Sequence, residues 1–231
     1  MRRLVYVPII HSETDLGSLA GRVREAYAAR FGADAWERHA RAIEEMWRGI
    51  RERIFSMGLE YSRVRIYQDG LPACGPVGPA CGAEASIVKD LAGRGSLNHQ
   101  LVAHLMDLGA TLVGTEDPRL LLREYEEMKR RMEGARGART PVAGRASLLG
   151  GGDTLVERDR FIARRIGSTL GDGETGVLFM GLAHHVERFL PGDMKIDLLI
   201  HRLPFGAESG NAGGTAGRRH SRRSDAADPR G

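Results

Sequence analysis

Hydrophobic positions along the chain follow two rhythms that take turns. Leu4 to Ile10, Arg63 to Gln68, Ala110 to Gly114, Gly176 to Leu182 and Lys195 to Ile200 are short apolar or alternating runs rich in β-branched residues. Each predicts a strand. Between them the apolar residues recur every three or four positions. Trp36, Ala40, Ile43, Trp47, Ile50, Ile54 and Met57 draw one stripe along a long helix, which core packing explains better than a cofactor-facing wall. Leu97, Leu101, Leu105 and Leu108 mark a second helix, and Leu121, Tyr125, Met128 and Met132 a third. Leu155, Ile162, Ile166 and Leu170 mark the last long one. Ser12-Glu13-Thr14-Asp15 offers caps and early negative charge for a helix running to about Arg30. A further helix starts near Glu84, and a short one, Val186 to Leu190, stops at Pro191-Gly192.

Strands alternating with helices predict an α/β fold, a single domain with a central, largely parallel sheet flanked by helices. The domain spans residues 1–205. Within it, 134–152 holds six glycines and reads as a flexible loop or a lid. From Gly206 to Gly231 the composition falls to Gly, Ala, Ser, Arg and Asp, and a disordered tail is expected. Pro8 lacks a ladder donor and should sit near an edge or at the end of its strand.

Two details break the periodic pattern. Between Leu155 and Ile162 the apolar slot is taken by Arg158 or Asp159. A charge in an apolar stripe needs a buried partner or a wet cavity. The third helix also carries Glu124, Glu126, Glu127, Lys129, Arg130 and Arg131, which read as its solvated face.

Composition narrows the function classes. The 231 residues are 42% hydrophobic, enough for a real core and against wholesale disorder. The formal charge is +4, of which the tail supplies half, through five arginines set against Glu208, Asp225 and Asp228. The remainder is nearly balanced, so specific nucleic-acid binding is not expected, and the tail alone offers only salt-sensitive phosphate contact. No apolar run approaches the ~20 residues of a membrane span. Met1-Arg2-Arg3 leads straight into a strand without the look of a signal peptide. Cys74 and Cys81, the two cysteines, suit a reducing compartment without a disulfide framework. Their spacing is not a usual zinc spacing. The cytoplasm is the expected location.

Candidate chemistry gathers at the strand ends. His11 and Glu13 follow the first strand, Asp69 the second, Glu116 and Asp117 the third, and His184 and His185 the fourth. With parallel strands these groups share one sheet edge, where α/β proteins place ligands. Such imidazoles and carboxylates can bind a divalent metal and activate water, or work without metal as a base and its orienting acid. The plainer explanation is that strand ends are rich in acids because these cap the next helix. His11 and His184 resist it, because histidine caps poorly. His185 reads as helix surface, and His99 and His104, five apart, as surface or interface residues.

Glu157-Arg158-Asp159-Arg160-Phe161-Ile162-Ala163, followed by a turn, an apolar strand and Gly181-Leu182-Ala183-His184, resembles the C-terminal half of the TraB/Tiki family over residues 153–190. That family is grouped with the erythromycin esterase-like and ChaN-like α/β folds. Its first Gly-x-x-His finds a counterpart at His11, although Pro8 stands where the glycine belongs. The resemblance implies a metal-dependent hydrolase acting on a peptide, amide or ester. His11 and His184 would be metal ligands, Glu13 or Glu116 the carboxylate partner, and Arg158 with Asp159 the supporting pair. A non-catalytic module that uses the same cleft to hold a small molecule or peptide is the competing expectation. Self-association through amphipathic helices is compatible with either.

Overall fold

A computed structural model of the chain describes residues 1–75, 82–134 and 152–201. Apart from its two end glycines, the glycine-rich segment expected at 134–152 lies outside the described residues, as does the tail expected at 206–231. Five strands form one sheet: β1 (Arg2–Ile9), β2 (Val64–Gln68), β3 (Thr111–Val113), β4 (Thr175–Gly181) and β5 (Met194–Leu198). Their order is β3-β2-β4-β1-β5, and every neighbouring pair is parallel. A 3₁₀ turn (Thr14–Leu19), α1 (Ala20–Phe31) and α2 (Ala33–Phe55) connect β1 to β2. α3 (Gly82–Gly93) and α4 (Leu97–Asp107) lead to β3, and α5 (Pro118–Gly134) and α6 (Asp153–Thr169) lead to β4. A second 3₁₀ turn, Val186–Phe189, precedes β5.

The strands read as continuous apolar runs because both faces of the sheet are covered. Val5, Val7, Ile9, Ile66, Val177 and Phe179 point to one side, against Ile43, Met46, Trp47, Ile50 and Ile54 of α2 and Leu101, Val102 and Leu105 of α4. Leu4, Tyr6, Tyr67, Leu178 and Met180 point to the other, against Ile162, Ala163 and Ile166 of α6 and against Val186. Each fully buried side chain of this size contributes about 1.5–3 kcal/mol. The spacing-of-three-and-four stripe of α2 is thus a core stripe.

Pro8 sits in an interior strand, which its missing donor should forbid. The register resolves this. Tyr6 uses its carbonyl toward β5, accepting from Leu199 N at 2.8 Å, and the β1–β5 pairing ends at Tyr6↔Leu198. Pro8 has the same parity as Tyr6, so its nitrogen faces the side where β5 has already ended. No ladder bond is lost.

Other expectations need correction. The helix expected from Ser12 begins as a 3₁₀ turn broken at Gly17 (φ 53°) and becomes α-helical at Ala20. The short helix after His185 is also 3₁₀. His99 is buried rather than a surface residue. Cys74 is disulfide-bonded, against the expectation of no disulfide. Cys81 lies outside the described residues.

The winding decides where a site can form. From β1 through β2 to β3 the connecting helices α2 and α4 cover one face. From β3 through β4 to β5 the connections, with α6 and the Val186 turn, cover the other. The chain therefore leaves β1 and β2 toward one face and leaves β4, which lies between them, toward the opposite face. Crevices open on both sides of the carboxyl end of β4.

Candidate functional site

Asp69 stands at the centre of the cluster at that edge. Its own N–H donates to Phe179 O at 2.9 Å, extending the β2–β4 ladder by one residue, and Gly70 (φ 75°) then turns the chain away. The carboxylate points into the crevice. Its Oδ2 accepts from Gly181 N at 2.9 Å and lies 3.1 Å from His11 Nε2. Its Oδ1 accepts from Arg158 Nη2 at 3.0 Å, and His184 Nε2 is 3.7 Å away. Gly181 is required here for room: a Cβ would stand 2.8 Å from Asp69 Oδ2 and 3.5 Å from His11 Nε2.

Glu116 is fully buried beyond the end of β3. Backbone bonds from Thr115 N and Glu116 N to Leu71 O, and from Ala73 N to Glu116 O, lash its loop to residues 71–73. Glu84, itself buried, accepts from Cys74 N, and Arg165 donates to Gly114 O and Gly75 O. A side chain on Gly114 would collide with Glu84 Oε1 and with the backbone of Pro72 and Ala73. The Glu116 carboxylate accepts from Gly70 N at 2.9 Å, from Arg158 Nε at 2.6 Å and from Arg158 Nη2 at 2.5 Å.

Arg158 fills the charged slot of the α6 stripe and is 4% exposed. Besides Glu116 and Asp69 it donates to Glu124 of α5. Glu124 is thus not on a solvated face, as expected from the charge run, but faces the cluster. Asp159, the next residue, is also buried. Its Oδ1 lies 2.5 Å from His184 Nδ1, and its Oδ2 accepts from His185 N at 2.9 Å. This fixes the ring so that Nε2 faces Asp69. His185 itself is exposed and meets Glu187.

Of the residues singled out from sequence, the structure brings His11, Glu116, Arg158, Asp159 and His184 into one cluster. Glu13 is elsewhere: its carboxylate pairs with Arg24 at 3.5 Å on the surface. Asp69 was visible as a strand-end acid, yet nothing in the sequence marked it as the residue that the others surround. Glu124 carried a signal, since it falls at the i+3 and i+4 spacing between Leu121 and Met128.

Compared with known proteins, the chain matches no family model, no curated protein and no solved structure.

Burial favours the neutral forms here, and the local charges decide each case. Burial works to raise the Asp69 carboxyl, but His184, His11 and Arg158 outweigh it and hold it well below the usual range. Burial raises Glu116 despite Arg158, helped by the neighbouring charge of Asp69. Glu124 is raised for the same leading reason. Burial works to lower both histidines, yet both are raised. For His11 the hydrogen bond and charge of Asp69 win, and for His184 the Asp69 charge and the Asp159 hydrogen bond.

Asp69, Glu116 and His184 offer three ligand atoms within 4.8 Å of one another, all buried, and form a group able to hold a metal ion. His11 is not in that group; it touches Asp69 from the rim, with its side chain 34% exposed. The donor set fits a divalent ion. Two carboxylates and an imidazole suit Zn²⁺, Mn²⁺ or Fe²⁺. A buried carboxylate holding the far nitrogen of a ligand histidine is the arrangement seen behind metal-bound imidazoles. Asp69 Oδ1 and Glu116 Oε2 each accept one strong hydrogen bond, from Arg158, and retain lone-pair capacity. No helix among the described residues is long and apolar enough to cross a membrane.

Proposed function

We propose that the strand-end cluster is a metal centre and that the protein is a metal-dependent hydrolase of the TraB/Tiki type, acting on a peptide, amide or ester. The observation that carries this is the Asp159–His184 contact of 2.5 Å, which leaves Nε2 facing two buried carboxylates. The residues 157–163 and 181–184 on which the resemblance to that family rests are those that supply Arg158, Asp159 and His184.

A divalent ion held by Asp69, Glu116 and His184 would polarise a carbonyl and lower the pKa of a bound water. The rest is done by the chain's own groups. Asp159 fixes the tautomer and direction of His184. Arg158 holds Asp69 and Glu116 in place through a rigid fork that lysine cannot reproduce. His11 meets Asp69 Oδ2 through Nε2 at 3.1 Å, with its side chain partly exposed at the rim, and the hydrogen bond and charge of Asp69 raise its pKa against burial. From that rim position it is the imidazole that a substrate entering the crevice would meet, as a group able to exchange a proton with it.

One observation favours the alternative of a non-catalytic binding module at the same cleft. Arg158 already neutralises part of the carboxylate charge, so the cluster is coherent as a purely structural knot. Elemental analysis and thermal melts separate the two. Purified protein should carry about one divalent ion per chain or gain stability on adding one, and an Asp69→Asn, His184→Ala double variant should do neither. Equal metal content and equal thermal response in the two proteins would remove the metal reading.

A further inference from the structure

Beside the strand-end cluster, α5 and α6 run antiparallel, as Arg123 pairs with Glu157 while Thr154 donates to Glu127. Near the start of α5 they enclose a cleft of about 580 Å³. Four arginines line it, Arg119, Arg123, Arg160 and Arg164, with Phe161 and Leu120 as its apolar seat. Two carboxylates share the lining, and each is already engaged. Asp117 binds Arg119 at 3.0 Å, and Glu157 binds Arg123. Two positive charges therefore remain in surplus, and they reside on Arg160 and Arg164. Both of these are exposed. Among the described residues neither pairs with an acid, and their guanidinium groups lie over rings, Arg160 5.3 Å from the Phe189 centroid and Arg164 5.9 Å from that of Phe161. A guanidinium over a ring keeps its in-plane N–H groups for other acceptors.

We propose that this cleft binds the phosphate groups of a phosphorylated small molecule, with Arg160 and Arg164 as its anchoring cations. The volume lies within the range of about 300–1,000 Å³ usual for small-ligand sites. Arginine forks match phosphate oxygens in pairs, and each such bond is charge-assisted. With Asp117 and Glu157 each paired, the lining keeps a net charge of +2, which a group carrying two negative charges balances. The cleft adjoins the central cluster, because Arg123 and Glu157 are the chain neighbours of the paired Glu124 and Arg158. The proposal does not rest on the hydrolase reading, because no residue of the metal group lines the cleft.

The test uses the full chain, stripped of metal and dialysed, so that a failure of the metal centre does not affect it. Isothermal titration with pyrophosphate should show saturable binding at one site. The Arg160→Gln, Arg164→Gln variant should weaken it at least about tenfold, since two charge-assisted contacts are lost. A control with two exposed arginines removed from α1 and α2, Arg22→Gln and Arg48→Gln, should bind like the parent. Equal weakening in both variants, or no saturable binding, overturns the proposal in favour of unspecific attraction to a basic chain. Tighter binding of a single-stranded oligonucleotide than of pyrophosphate, lost in the same Arg160/Arg164 variant, overturns it in favour of nucleic acid.

Discussion

Arg158→Met is the substitution whose effect the structure defines most closely. The guanidinium is 4% exposed and donates to Glu116 twice, to Asp69 and to Glu124. Methionine keeps much of the volume and the apolar stem but leaves three carboxylates facing one another, exposed 0%, 7% and 20%. Taken singly, hydrogen bonds to charged groups are worth about 1.5–3 kcal/mol, but such values are not additive within one network. The relevant comparison is the removal of one partner from a buried ion cluster, which costs about 3–5 kcal/mol. Glu124 can turn partly to water and Glu116 can take up a proton, so the loss should fall within that range and not above it. Urea unfolding at neutral pH, with chelator present, measures it. The deficit should shrink as the pH falls toward about 5, because an unpaired buried carboxyl in the folded variant binds protons more tightly than in the unfolded chain. Arg158→Lys should lie between the two, since it keeps the charge and loses the fork. A loss below about 1 kcal/mol, or one that does not change with pH, would show that the carboxylates do not depend on Arg158 and refute the electrostatic account of the cluster.

Three further perturbations probe the same framework. Gly181→Ala puts a methyl 2.8 Å from Asp69 Oδ2. It should cost about 1–3 kcal/mol in unfolding free energy, as overpacking does, and should lower divalent-metal uptake measured by elemental analysis. Asp159→Asn removes the charge behind His184 and should weaken metal affinity about 10–100-fold in a competition titration while the protein stays folded. Asp15 lies between Ser12, Ser96 and His99, with Ser96 Oγ at 2.5 Å and His99 Nδ1 at 3.3 Å. Burial works to raise its carboxyl, but the bonds from His99, Ser96 and Ser12 hold it well below 3.8. A depressed folded pKa gives stability that is fully present above the unfolded value and lost as the pH falls below it. Asp15→Asn should therefore flatten the acid limb of the stability–pH curve, read by thermal melts from neutral pH downward.

The same Asp15–Ser96–His99 contact shows why some groups escape a one-dimensional reading. Ser and Asp both approach Nδ1 of His99, at 2.7 and 3.3 Å, so no proton relay runs through the ring. The trio clamps the 3₁₀ turn after β1 onto the N-terminus of α4, where Ser96 also caps the helix by accepting from His99 N. Eighty-one positions separate Asp15 from Ser96, and no local spacing could have paired them.

The features legible in the chain alone are those governed by local periodicity. Apolar runs at strand spacing and stripes at helical spacing placed all five strands and the core faces of α2, α4 and α6, because burial acts on each element's own pattern before any partner is known. The charged slot at Arg158 and Asp159 was legible for the same reason. Glu124 carried a matching signal in α5, an acid set in one apolar stripe opposite an arginine set in another. Which of the strand-end acids meet follows from long-range packing alone. The order β3-β2-β4-β1-β5 puts β4 between β1 and β2, and the Asp69 carboxylate, bonded to Gly181 N at the end of β4, meets both His11 and His184 while Glu13 pairs with Arg24. Strand order is set by long-range packing on both faces of the sheet, and it leaves no period in the chain from which it can be read.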